Sequence, residues 1–261
     1  MYTSNPLMSE RHNRVNLKLM WVAFLSFFLT LLARFIVGLV YDIADIKLPN
    51  HELLFSPFSF SMFAQFTWLT TTMVTFFLAI MLVQHYTNST NKWLVKLTNK
   101  YALLAVAIYD TVVMIAVVIY VSLIGIGVLN QPSGQKMFHD NAWPFDLFNV
   151  LVHFVIPWFL IIFTINHLHF YHNFIIEKKF FLWILVYPII YIIFYIIFAL
   201  KIGTNIYPVT NLQENDGWQY LPLALLAFEL FTLVWYIVAK HIKDWDTDVK
   251  QTTPKNTRSK N

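Results

Sequence analysis

Cysteine is absent from the 261-residue chain. That excludes disulfides, thiolate nucleophiles and cysteine-ligated metals, and leaves the compartment unreadable from redox chemistry. Charge is scarce as well: 12% of residues are charged against 58% hydrophobic and 18% aromatic, far greasier than the core of a soluble domain this size requires. Also missing are the G-x-S-x-G elbow, the G-x-x-x-x-G-K-[ST] phosphate loop, the H-E-x-x-H zinc helix and the G-x-G-x-x-G nucleotide turn. Nucleotide-driven transport and standard serine or zinc hydrolysis lose their simplest support. The net charge of +4 is not arranged as a nucleic-acid groove, so no nucleic-acid partner is expected.

What is present is long apolar runs. A spanning helix needs about 20 mostly apolar residues, and six stretches supply them: Leu17 to Tyr41, Phe58 to Gln84, Tyr101 to Leu129, Phe145 to Leu168, Lys179 to Leu200 and Leu221 to Ile242. The composition therefore predicts an all-α, multi-pass integral membrane protein, a six-transmembrane-helix bundle with membrane lipids as its surroundings. Residues 1–16 read as an N-terminal tail, 17–242 as the transmembrane domain and 243–261 as a basic, disordered tail. The first run follows Arg11, Arg14 and Lys18 but is too long for a secretory signal and has no small-residue cleavage pattern, so it reads as a retained helix.

Basic residues set the orientation. With the N-terminus inside, the cytoplasmic face holds Arg11, Arg14, Lys18, Lys92, Lys96, Lys100, Lys178, Lys179, Lys240, Lys243, Lys250, Lys255, Arg258 and Lys260, fourteen in all. The opposite face holds three, Lys47, Lys136 and Lys201. This bias predicts cell-membrane residence with both termini cytoplasmic, and outer loops at 42–57, 130–144 and 201–220.

Polar groups inside the runs carry the chemistry. Counted from the run ends at 1.5 Å per residue, Thr67, His153 and Glu229 fall about 12–13 Å below the outer surface, and Arg34 about 10 Å below it. Asp110 lies about 13 Å from the inner end of its run. Ionised groups in hydrocarbon must face the bundle and find partners. Arg34 and Glu229 at one depth are expected to form a packing ion pair; the alternatives are that one of them anchors a ligand carboxylate or orients a base, or that Arg34 snorkels. Thr67, Thr71 and Thr75 form one helical stripe, and Tyr187, Tyr191 and Tyr195 another beside a kink expected at Pro188. Such stripes serve either packing or a polar site. His153 can exchange a proton near neutral pH and precedes Pro157 by one turn; the alternative is a histidine bonded across to another helix. His167, His169 and His172, with Asn166, have spacings that do not share a helical face, so a polar cap is expected there and no metal. Nothing points to a cofactor.

The order of F-T-W-L-T-T at Phe66 to Thr71, H-F-V-I-P at His153 to Pro157, Y-P-I-I-Y at Tyr187 to Tyr191 and Tyr207-Pro208 resembles the bacterial Pr-six-Pr family of predicted six-transmembrane proteins. That family is similar to the androgen-induced and androgen-dependent integral membrane hydrolases of animals. The resemblance covers roughly residues 58–210 and rests on the order and spacing of short motifs. It implies a membrane-embedded threonine hydrolase acting on a lipid ester, with Thr67 in the nucleophile's place and His153 as its partner. The bacterial pattern continues F-T-x-x-S-N, whereas this chain has Thr70 and Thr71 there, so the amide is missing. The functional expectation is an intramembrane lipid-ester hydrolase or acyl-transfer enzyme; the rivals are a small-solute or proton-coupled transporter and a non-enzymatic scaffold.

Overall fold

A computed structural model describes residues 6–45, 65–87, 91–125, 147–148, 150–168, 176–202, 218 and 220–252. Among these residues the chain is helical with no strand, and six helical segments are long and apolar enough to cross a membrane. The protein is a multi-pass, six-helix membrane bundle. Its elements are α1 (Pro6–Ile43), α2 (Phe66–Thr87), α3 (Lys92–Leu97), α4 (Lys100–Gly125), a π-helical turn (Leu151–Val155) leading into α5 (Ile156–Leu168), α6 (Lys178–Ile184), α7 (Val186–Ile202) and α8 (Tyr220–Thr252). The first three spans lie on α1, α2 and α4, the fourth on the π turn with α5, the fifth on α6 with α7, and the sixth on α8.

Local chemistry sets several helix ends. Asp45 takes a left-handed φ of 49° just past α1, a conformation short polar side chains tolerate. Between the second and third spans, Asn91 caps α3 by accepting from Trp93 N at 2.9 Å. Asn99 caps α4 by accepting from Tyr101 N at 2.8 Å and Ala102 N at 2.9 Å. These caps satisfy first-turn donors that otherwise lack acceptors. Thr98 also bonds Gln84, tying the connection to the end of α2.

The third span is the hub. In its most apolar stretch 61% of residues are buried, against 17% in the sixth, because α4 packs against α2, the fourth span and α8. One face of α4 places Leu103 and Val106 in a cluster with Val74, Leu78, Ile156 and Leu160. Another packs Leu104 and Ile108 with Ile184, Phe228 and Trp235. Lipid is as apolar as these side chains, so close packing holds the helices together more than water exclusion does. Ala23, Ala107, Ala199 and Ala239 are buried and allow the approach. Leu226, Leu230 and Ile237 of α8 are exposed, as suits lipid contact.

Three boundaries differ from the sequence expectation. Helix α1 begins at Pro6, inside the stretch read as a tail, and α8 continues to Thr252, past the expected boundary at 242. Extending an existing helix costs far less than nucleating one, so apolarity marks the membrane part and not the helix end. The second span starts at Phe66, after a bend at Gln65 whose carbonyl accepts Leu69 N at 3.0 Å. Thr67 therefore sits in the first turn of its helix, and its expected depth, counted from Phe58, does not hold. The expected break near Pro188 falls at Leu185, between α6 and α7. Most of the expected outer loops, including Lys47, Lys136 and Tyr207-Pro208, and residues 253–261 lie outside the described residues.

Candidate functional site

Helix periodicity orients the start of α2. Phe66 stacks against Tyr187, Tyr191 and Phe228 of the fifth and sixth spans, with ring centroids 4.8–5.6 Å apart. Trp68 clusters with Phe148 and Val152 and with Leu31 and Val37 of α1. Thr67 lies between these two faces, on the stripe it shares with Thr71, Val74 and Leu78, which are buried. That stripe faces the bundle interior.

The hydroxyls of α2 are not equivalent. Thr71 donates to Thr67 O, Thr72 to Trp68 O and Thr75 to Thr71 O, each at 2.8 Å. Thr70 and Tyr187 share a hydrogen bond of 3.3 Å. Half-buried Thr67 makes no side-chain hydrogen bond among the described residues. Its backbone N–H and that of Trp68 precede the first intrahelical bond and are likewise unbonded among the described residues. First-turn donors of this kind attract an anionic oxygen.

His153 enters from the fourth span. It is buried, and its Nδ1 lies 3.1 Å from the Val113 carbonyl of α4. A carbonyl only accepts, so Nδ1 carries the proton and Nε2 of the neutral ring presents its lone pair. The π turn rotates this residue out of regular helical register, and such turns recur at functional sites. Among the described residues no hydrogen bond joins Thr67 to His153; His153 meets the third span at Val113, and Thr67 lies on the α2 stripe whose Val74 and Leu78 pack with Leu103 and Val106 of that span.

Arg34 is buried with its guanidinium 4.4 Å from the Trp68 ring centroid, one residue from Thr67. The expected Arg34–Glu229 ion pair does not form. Arg34 packs on α2, while α8 packs against α4, α5, α6 and α7, and half-buried Glu229 has no ion pair or hydrogen bond among the described residues. Depth counted along the sequence fixes only a level, and it does not say which neighbour each residue meets.

Tyr191 and Tyr195 are buried, and Tyr187 packs its ring 4.8 Å from that of Tyr109. Proline at 188 has no N–H to give the Ile184 carbonyl four residues earlier. The Tyr109 hydroxyl donates to that carbonyl at 3.0 Å instead. Asp110 is completely buried, and neither carboxyl oxygen has a hydrogen-bond partner among the described residues. At the opposite end of the fourth span, Asn16 of α1 bonds both His167 Nδ1, at 2.8 Å, and Asn166 Nδ2, at 3.1 Å. This is the polar cap expected there, with its partner now identified; His169 and His172 lie outside the described residues. No cluster of three metal-ligating side chains occurs among the described residues.

Sequence reasoning missed Tyr109, Asn16 and the exceptional status of Thr67 within its stripe. The proline rule carried a signal for Tyr109: Pro188 requires an outside donor for Ile184, and tyrosine is among the side chains long enough to supply one. Comparison with known proteins found no matching family model, no matching characterised protein and no matching solved structure. The family resemblance therefore rests on the motifs alone.

Proposed function

We propose that the protein is an intramembrane lipid-ester hydrolase, or acyl-transfer enzyme, with Thr67 as nucleophile and His153 as general base. The observation that carries this reading is the His153 Nδ1 bond to the Val113 carbonyl, because it leaves Nε2 as a proton acceptor in an interior position. A base oriented by a third group and a hydroxyl not already bonded to its own helix are the parts nucleophilic catalysis needs.

In this reading Thr67 Oγ1 attacks the ester carbonyl while its proton passes to His153 Nε2. The oxygen that becomes negative is received by the N–H groups of Thr67 and Trp68. Collapse of the tetrahedral intermediate breaks the bond to the alcohol, which leaves with the proton from Nε2. Water then attacks the acyl-threonine, gives a proton to Nε2, and releases the acid as the proton returns to Thr67. An accepting alcohol in place of water gives acyl transfer. Throughout, Val113 O holds the imidazole and stabilises its charged form. Arg34 lies beside Trp68 and suits an acidic group on the substrate, and the Phe66–Tyr187–Tyr191 ring cluster suits an acyl chain.

The fourteen-to-three distribution of basic residues supports a cell-membrane protein with both termini in the cytoplasm. The site would then open from the outer leaflet. Hydrolysis of a chromogenic long-chain acyl ester by protein reconstituted in liposomes tests the chemistry. Thr67→Ala and His153→Ala are each expected to lower turnover by at least about 100-fold, with Thr71→Ala close to wild type. Retained turnover in Thr67→Ala rejects the nucleophile.

A further inference from the structure

Asp110 is a buried charge-bearing group that the proposed chemistry does not use. Its carboxyl is completely buried on the central helix, with both oxygens unpartnered among the described residues. An ionised group so placed is unfavourable unless something compensates it. It shares a face of α4 with Leu103, Val106 and Val113, the face that meets the second and fourth spans.

Several donors near this level already have acceptors. Thr71 and Thr75 give their protons to carbonyls of their own helix. Trp235 Nε1 donates to Thr111 Oγ1 at 3.2 Å, and His153 donates through Nδ1 to Val113 O.

Acceptors, by contrast, are in surplus. In the fourth span Ile156 N–H bonds Leu151 O, so the Val152 carbonyl loses the donor that an α-helix would give it. Pro157 has no N–H, so the His153 carbonyl loses its own. Helical carbonyls point toward the C-terminal end, and α4 runs antiparallel to the fourth span. The freed carbonyls of Val152 and His153 therefore aim toward the level of Asp110, about 4.5 Å along α4 from the Val113–His153 contact.

We propose that this surplus of oxygen acceptors is a binding site for a sodium ion between the third and fourth spans. Hard oxygen donors with no sulfur or ring nitrogen select a hard cation. One carboxylate balances one positive charge, whereas a divalent ion would leave a buried net charge behind. The buried side chains of Val74, Val113, Ile156 and Leu160 around the level favour the smaller of the common monovalent ions. A bridging water would supply donors but would not neutralise the carboxylate. The proposal does not rest on the ester chemistry, although the His153 backbone belongs to both sites, and its occupancy is readable without turnover.

The experiment combines radiolabelled sodium binding to the purified protein with thermal unfolding in detergent, in sodium, potassium or choline chloride at equal ionic strength. Wild type is expected to bind sodium saturably and to gain about 3–6 °C at ten times the dissociation constant, with no matching gain in choline. Asp110→Asn is expected to abolish both responses. Pro157→Ala, which keeps the carboxyl and restores a donor to the His153 carbonyl, is expected to weaken sodium binding about fivefold or more. Absence of saturable sodium binding by wild type, equal stabilisation by all three salts, a sodium response retained in Asp110→Asn, or unchanged affinity in Pro157→Ala would each overturn the proposal.

Discussion

Replacing Tyr109 by phenylalanine removes one oxygen and strands one carbonyl. The hydroxyl donates to Ile184 O at 3.0 Å, and Pro188 cannot supply the N–H that a regular helix would place there. Water is not available in hydrocarbon to take over. Loss of an ordinary neutral hydrogen bond costs about 1 kcal/mol, and a buried acceptor left unsatisfied raises that to about 1–3 kcal/mol. The ring of Tyr109 is buried against Tyr187 and Phe228, and phenylalanine keeps that packing, so the measured loss reports the hydrogen bond. Pro188→Ala restores a donor four residues from Ile184 and should cost little in the wild-type background. In the double variant the Tyr109→Phe penalty should shrink to within about 0.5 kcal/mol. Equilibrium unfolding in mixed micelles, titrated with sodium dodecyl sulfate and followed by tryptophan fluorescence, gives all four corners of the cycle. A Tyr109→Phe penalty that is the same in the wild-type and Pro188→Ala backgrounds would refute the argument that proline creates the need for the hydroxyl.

Asn16→Ala removes bonds to both Asn166 and His167 and should destabilise the contact between the first and fourth spans by about 1–2 kcal/mol; an equal loss from Asn16→Ala in an Asn166→Ala, His167→Ala background would show that these bonds are not the cause. The cysteine-free chain makes single introduced cysteines a clean report of orientation. Positions 45, 135 and 212 should react with an impermeant thiol reagent from outside the cell and position 95 should not; the reverse pattern would overturn the charge-based topology.

The six spans were legible because each is a long apolar run, and membrane crossing demands little else of a sequence. Their ends were less legible. Polar residues stop an apolar run but not a helix, so α1 reaches back to Pro6 and α8 forward to Thr252. The bend at Gln65 had no apolar signature, and the depth of Thr67 was misjudged with it. Rotation about the helix axis was the larger gap. Arg34 and Glu229 count to similar depths along the sequence, yet one lies over Trp68 and the other beside the Phe228–Thr232–Trp235 stripe of α8. A helix has a periodicity that a sequence can reveal, but which neighbour each face meets depends on the order of helices around the bundle.

The candidate site shows the same division. His153 was legible as a residue type that membrane helices rarely carry without reason, whereas Thr67 stood out only through the resemblance of its motif. What set Thr67 apart from Thr71 was invisible, because it depends on a hydrogen bond from Thr71 back to the Thr67 carbonyl and on the helix beginning at Phe66. The tautomer of His153 was also invisible, since it depends on a carbonyl forty residues away in the chain. Asp110 could be read as buried, but its lack of any partner required the positions of the donors around it.

Labelling of the purified, reconstituted protein by a lipophilic fluorophosphonate, with the modified residue located by mass spectrometry, tests the proposed chemistry most directly. The account predicts a phosphonylated Thr67, with labelling lost in Thr67→Ala and strongly slowed in His153→Ala, because the reagent reports a hydroxyl activated by a neighbouring base. An unlabelled wild-type protein that remains folded, or a label on any other residue that persists in Thr67→Ala, would contradict it.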